Sequence, residues 1–111
     1  MKFPERFTTI DKLNYLERCI LIHSTIYYDW DESLISDTKY DRTARLLARK
    51  AEQYKNTLLP KTTYGYVFKN YTGSTGFYLV QKLKKEDREY IQTIAYNVLK
   101  LKEKKNEQNI F

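Results

Sequence analysis

The sequence predicts a mainly α fold: an N-terminal antiparallel αα-hairpin, a glycine-containing connector and a long C-terminal helix. Three features point there. Ile10, Leu13, Leu16, Ile20 and Ile22 recur near the helical period. Ser36 is a good N-cap, and Asp37 behind it suits the positive end of a second helix. Ile91, Ile94, Ala95, Val98 and Leu101 line one face of a third stretch, opened by Glu86 and Asp87 and closed by lysines.

Taken in order, the first helix is expected from Ile10 to about Tyr28, with Thr9 as its cap. DWDESLI is acidic and poorly periodic and reads as a loop. The second helix runs through TKYDRTARLLARKAEQY to about Asn56, with Tyr40, Ala44, Leu47, Ala51 and Tyr54 on one face. Two helices joined by so short a loop make an αα-hairpin. Pro60 ends that unit. In residues 61–83, YGYVF has strand-forming side chains and YTGSTG is a turn signal. FYLVQKL reads either as the second strand of a hairpin or as a short helix capped by Ser74 or Thr75. The spacing of Phe77, Val80 and Leu83 by three leans to the helix. The last helix is expected from about Lys85 to Lys105, with NEQNIF fraying beyond it. One domain covers residues 1–111, divided into the hairpin at 10–56 and the connector and helix at 57–111.

Composition narrows the function classes. The chain of 111 residues is 31% charged. Its mean hydropathy is −0.72. No apolar run reaches the roughly 18–20 residues of a membrane span, and MKFPERFTTIDKL has no apolar core of a signal peptide. A cytoplasmic protein without a membrane partner is expected. Cys19, the single cysteine, leaves no internal disulfide and no cysteine-based zinc site; its apolar neighbours make it a core residue. His23 is the single histidine, so neither a histidine-based metal site nor a Ser–His–Asp triad is supported, and no metal is expected. GSTG lacks the Gly-Lys-Ser/Thr ending of a phosphate-binding loop and reads as a turn.

Charge and aromatic content are uneven. The net charge is +6, and eleven residues are tyrosine. Residues 29–41 carry Asp29, Asp31, Glu32, Asp37 and Asp41 against Lys39. Residues 82–105 carry Lys82, Lys84, Lys85, Arg88, Lys100, Lys102, Lys104 and Lys105 against four acids. A basic face of that kind either meets an anionic partner or is simply solvated.

The stretch HSTIYYDWDESLISDTKYD, residues 23–41, carries the chemistry. On a helix His23 and Tyr27 share a face, as do Asp37, Tyr40 and Asp41 on the next one. A hairpin brings the two sets together as a concave patch of tyrosine rings, an imidazole and two carboxylates. Each residue also has a structural reading: Tyr27 and Tyr40 as packing between helices, Asp37 as a first-turn charge, His23 as a hydrogen bonder and Asp41 as a partner of Arg45. Trp30 is either a lid over the patch or a protein contact.

His23, Tyr27, Tyr28, Asp31, Ile35, Ser36, Asp37, Tyr40 and Asp41 fall, without a gap, at the spacing of a known pattern. The stretch resembles the N-terminal Ia domain of bacterial NAD-dependent DNA ligases, and the likeness extends over about residues 10–56. The connector and last helix are similar to small phage proteins that carry a ligase-like hairpin. The resemblance implies a free-standing, phage-encoded module whose His23, Tyr27, Tyr28, Asp37, Tyr40 and Asp41 grip the nicotinamide half of NAD. A pyridinium would stack on the tyrosine rings, the carboxylates would accept hydrogen bonds from ribose hydroxyls or the carboxamide, and a protonated His23 or a tyrosine hydroxyl would meet the phosphate.

Three departures from the pattern matter. Ser33 stands at the usual loop proline, Lys39 at the capping-box glutamate, and no K-x-D-G adenylation motif occurs. The expected function is therefore a non-enzymatic binding module for NAD or nicotinamide mononucleotide, without ligase activity. One alternative is a small phage protein, with a vestigial pocket, that inhibits or modulates a host protein such as a defence or CRISPR nuclease in the host cytoplasm. Another is a nucleic-acid-binding accessory using Lys100, Lys102, Lys104 and Lys105 without base specificity.

Overall fold

A computed structural model describes residues 3–74 and 76–110, with side chains described to residue 104. Four α-helices carry the fold: α1 (Thr9–Ser24), α2 (Asp37–Gln53), α3 (Gly65–Phe68) and α4 (Lys85–Ile110). Among the described residues there is no strand. No helix among them is long and apolar enough to cross a membrane.

The α1 start is set one residue earlier than expected. Thr8, not Thr9, is the N-cap: its hydroxyl accepts from the Asp11 N–H at 3.2 Å, while the Asp11 carboxylate accepts from the Thr8 N–H at 2.9 Å. This reciprocal box satisfies two backbone donors at once, which Thr9 could not do without an acid at position 12. At its other end α1 does not continue as a plain α-helix to Tyr28. It widens into a π turn over Thr25–Asp29. The chain then reverses at Asp31, whose φ of 53° is tolerated by its short polar side chain. The Glu32 N–H closes the reversal on the Ile26 carbonyl at 3.0 Å. Asp31, one of the pattern-matching residues, thus acts in this turn.

Ser36 caps α2 as expected, its hydroxyl accepting from the Lys39 N–H at 3.1 Å. Ala44, Leu47 and Ala51 are buried and Tyr40 and Tyr54 half-buried, so the expected apolar face is the one that packs on α1. The helix ends at Gln53 rather than near Asn56, with Tyr54 as its C-cap. The pair is antiparallel: Ser24 at the end of α1 meets Tyr40 at the start of α2, hydroxyl to hydroxyl at 2.8 Å.

The connector departs most from expectation. GYVF is helical: α3 buries Val67 and Phe68, and with them Tyr64 just ahead of it, in the cluster that also holds Leu13, Leu16, Ile20 and Leu21. Core packing outweighs the strand preference of those side chains. Short 3-10 turns lie at Leu59–Lys61 and Val80–Lys82. The hairpin alternative is not formed. Leu79, Val80 and Leu83 are buried while Phe77 stays 46% exposed, so Leu79 takes the core place expected of Phe77. Ser74 caps no helix, and Thr75 lies outside the described residues.

The connector is tied to α1 by a buried acid. Glu17 is fully buried; its Oε1 accepts from the Tyr64 N–H at 3.0 Å, and its Oε2 lies 2.6 Å from Thr62 Oγ1. Nearby, the Asn14 side-chain oxygen accepts from the Thr63 N–H at 2.9 Å.

α4 packs on α1 and on the π turn. Ile91 and Ala95 are fully buried, whereas Leu101 is 67% exposed against expectation. All four side chains at 101–104 are exposed, so the last described side chains of α4 have no core beneath them. α4 remains helical through Ile110, over residues expected to fray.

Candidate functional site

Between the π turn at the end of α1 and the first turns of α2 lies an open cavity of about 400 Å³. All six site residues singled out in the sequence line it: His23, Tyr27 and Tyr28 from one side, Asp37, Tyr40 and Asp41 from the other. Ser33, Leu34 and Ile35 of the loop also line it. Trp30 is half-buried and not part of the lining.

The individual groups refine the expected chemistry. Burial, and then the charge of Lys39, hold the His23 imidazole below its ordinary pKa. A neutral ring lines the cavity at neutral pH, so the protonated His23 expected to meet a phosphate is not the form present. Its Nδ1 is buried and, among the described residues, has no hydrogen-bond partner. The Tyr40 hydroxyl is taken by Ser24, and burial pushes its pKa up. What Tyr40 offers the cavity is its ring. Tyr28 stacks edge-on between Tyr27, at 4.8 Å, and Phe77, at 5.6 Å, with Tyr78 continuing the series at 5.0 Å from Phe77. Each ring is thereby fixed by its neighbour.

Six lining residues were not among those singled out: Ser33, Leu34 and Ile35 of the loop, and Arg45, Gly73 and Ser74. Arg45 had been weighed only as a partner of Asp41; among the described residues those two form no ion pair within 4 Å. Its spacing of four beyond Asp41 was the available signal, since i and i+4 share a helix face. Gly73 and Ser74 belong to the GSTG turn, which was read as a turn without a place in space.

Two glycines seat that turn over the helix pair. Gly73 has φ 81°, and a Cβ there would come within 3.3 Å of the Ala44 carbonyl oxygen and of Ala48 Cβ. At Gly76 a Cβ would overlap the Tyr40 and Ser24 hydroxyls. The turn therefore rests on α2 at one end and on the Ser24–Tyr40 pair at the other.

The basic stretch of α4 turns partly inward. Arg88 Nη2 lies 3.8 Å from Asp29 Oδ2, and Lys102 Nζ donates to the Ser33 carbonyl at 2.9 Å. Lys100 pairs with Glu103 at 3.3 Å and sits over the Tyr96 ring. Lys104 is exposed, and the Lys105 side chain lies outside the described residues. At 100° per residue, Lys102 points away from Lys100 and Lys104, so these lysines make no single stripe. The acidic loop and the basic helix, far apart in sequence, meet each other.

Among the described residues no group of three or more His, Cys, Asp or Glu side chains is placed to hold a metal ion. No known protein family, curated protein or solved structure matches the chain.

Proposed function

We propose that the chain is a non-enzymatic binding module that holds a nicotinamide nucleotide, either nicotinamide mononucleotide or the nicotinamide half of NAD, in the cavity between the end of α1 and the start of α2. One observation carries this reading: the rings of Tyr27, Tyr28 and Tyr40 and the carboxylates of Asp37 and Asp41 line a single cavity of about 400 Å³. A pyridinium cation is attracted to the face of an aromatic ring. Carboxylates accept the hydrogen bonds of ribose hydroxyls and of a carboxamide. With its Nδ1 buried, the neutral imidazole offers the same polar groups its other nitrogen, as donor or acceptor. Without a K-x-D-G lysine the chain has no nucleophile in the setting that self-adenylation requires, so binding is the activity proposed.

Thermal shift and calorimetry with nicotinamide mononucleotide, NAD and AMP test this. The first two should raise the melting temperature and AMP should not. At a ligand concentration one hundred times Kd the native state gains about 2.7 kcal/mol by mass action. Asp41→Asn should weaken nicotinamide mononucleotide at least tenfold. Equal binding of AMP, or no binding of any of the three at millimolar concentration, sinks the reading; the second result favours the protein-interaction alternative.

A further inference from the structure

We infer that Arg45 and the Gly73–Ser74 turn form a phosphate-receiving end of this cavity, which makes its ligand a 5′-phosphorylated nicotinamide nucleotide and not the riboside. The inference rests on the proposed nicotinamide reading and adds an orientation to it.

The cavity is polarised along α2. Asp37, Asp41 and Arg45 all line it, at i, i+4 and i+8 on one helix face. Those eight residues span about 12 Å. Two negative charges therefore stand toward the helix start, and one positive charge stands about one turn beyond Asp41 and two beyond Asp37. Among the described residues Arg45 has no carboxylate within 4 Å. Its planar fork is left to meet an anion, and phosphate suits it through paired N–H···O bonds.

Gly73 and Ser74 lie at the same level. Gly73 packs against Ala44 and Ala48, the residues that bracket Arg45 in sequence by one and three positions. Ser74 lines the cavity beside it. The Thr72 hydroxyl donates to Ser74 Oγ at 3.1 Å, which fills one of that oxygen's acceptor positions and leaves its own proton to donate. Arg45 and Ser74 thus both line the cavity on the side of α2 beyond Asp41. A nucleotide whose cationic ring lies among Asp37, Asp41 and the tyrosines places its 5′-phosphate there. The reverse orientation would set phosphate against two carboxylates.

Calorimetry with two probes, nicotinamide mononucleotide and nicotinamide riboside, reads the phosphate contribution directly. The unmodified protein should bind the mononucleotide at least tenfold more tightly than the riboside. Arg45→Gln should lower mononucleotide affinity to that of the riboside and reduce riboside affinity far less, because the riboside has no phosphate for the guanidinium to meet; the side chain is exposed, so the fold should stand. Arg45→Lys, which keeps the charge but loses the fork, should fall between. Equal affinities for the two probes in the unmodified protein would overturn the assignment while leaving the nicotinamide reading intact. So would an equal loss for both probes in Arg45→Gln. If neither probe binds the unmodified protein, the nicotinamide reading fails and this one fails with it.

Discussion

Replacing Glu17 by glutamine should make the protein more stable at neutral pH, although it alters a residue at the centre of the core. Glu17 is fully exposed to burial's cost: none of its surface reaches solvent, and that raises its pKa from 4.5 to about 7. The hydrogen bonds from Thr62 and Tyr64 pull the other way and do not compensate. The geometry explains why the neutral acid is preferred. Thr62 Oγ1 lies 2.6 Å from Glu17 Oε2 and 2.8 Å from the Leu59 carbonyl oxygen, and one hydroxyl proton serves only one of them. A protonated carboxyl donates to Thr62, which then donates to Leu59, and both acceptors are satisfied. Glutamine offers an N–H in place of that O–H and keeps an oxygen for the Tyr64 N–H.

The sign follows from a folded-state pKa raised above the unfolded one. Below about pH 4.5 the group is neutral in both states and costs nothing. Between about 4.5 and 7 the unfolded chain ionises first, so stability falls as pH rises, and above 7 the loss is complete. A gap from 4.5 to about 7, at about 1.36 kcal/mol per pH unit, comes to roughly 3 kcal/mol. Urea unfolding of both proteins at pH 4.5, 5.5, 6.5 and 8 measures it. The two should be close at pH 4.5, with the glutamine variant ahead by up to about 3 kcal/mol at pH 8. His23 titrates in an overlapping range with the opposite sign: its pKa is lowered by burial, so its contribution is lost as pH falls. It is common to both proteins and cancels in their difference. A difference that does not change with pH, or a glutamine variant less stable at pH 8, would refute the reasoning.

Two further outcomes are expected. Gly76→Ala should cost about 1–3 kcal/mol in urea unfolding, since a Cβ there overlaps the Ser24–Tyr40 hydroxyl pair; a loss under 0.5 kcal/mol would show that the turn is not seated on it. Fluorescence anisotropy with a short labelled DNA duplex should find only weak binding that disappears between 50 and 200 mM salt, because Lys100 and Lys102 are already engaged within the chain, and tight binding that survives glutamine at Lys100, Lys102, Lys104 and Lys105 would contradict this.

What the sequence made legible was whatever helical spacing alone can express. The α1–α2 pair and its Ser36 cap follow from local pattern, and so does the sharing of a face by Asp37, Tyr40 and Asp41. The connector was not legible, because its conformation is decided by partners far away in sequence. Tyr64, Val67 and Phe68 favour strand locally, yet they are helical or flank a helix where Glu17 holds the Tyr64 N–H across 47 positions. Glu17 did leave a signal: it stands four residues after Leu13 and three and four before Ile20 and Leu21, on the apolar face itself. A carboxylate at such a position needs partners, and the sequence does not say that they come from the connector. Arg45 illustrates the reverse case. Its helical position was plain, but whether it pairs with Asp41 or turns to a cavity depends on a turn almost thirty residues on.

The two halves of the chain therefore divide the work unequally but not independently. The hairpin supplies the rings, the imidazole and both carboxylates, all from residues 23–41. Yet the cavity's far wall is Gly73 and Ser74, and the pair that fixes the Tyr40 ring is covered by Gly76. α4 holds the acidic loop at two points, Asp29 through Arg88 and the Ser33 carbonyl through Lys102. Two basic residues of α4 thus hold the loop that borders the cavity. Without the second half, Leu13, Leu16, Ile20 and Leu21 would lose the side chains of α3, the 3-10 turns and Ile91 that complete their cluster. Burial of that apolar surface, at about 25 cal/mol per Å², is what drives the fold. A pattern of residues confined to the first half can therefore mark where the chemistry lies, while the cavity that uses it is a property of the whole chain.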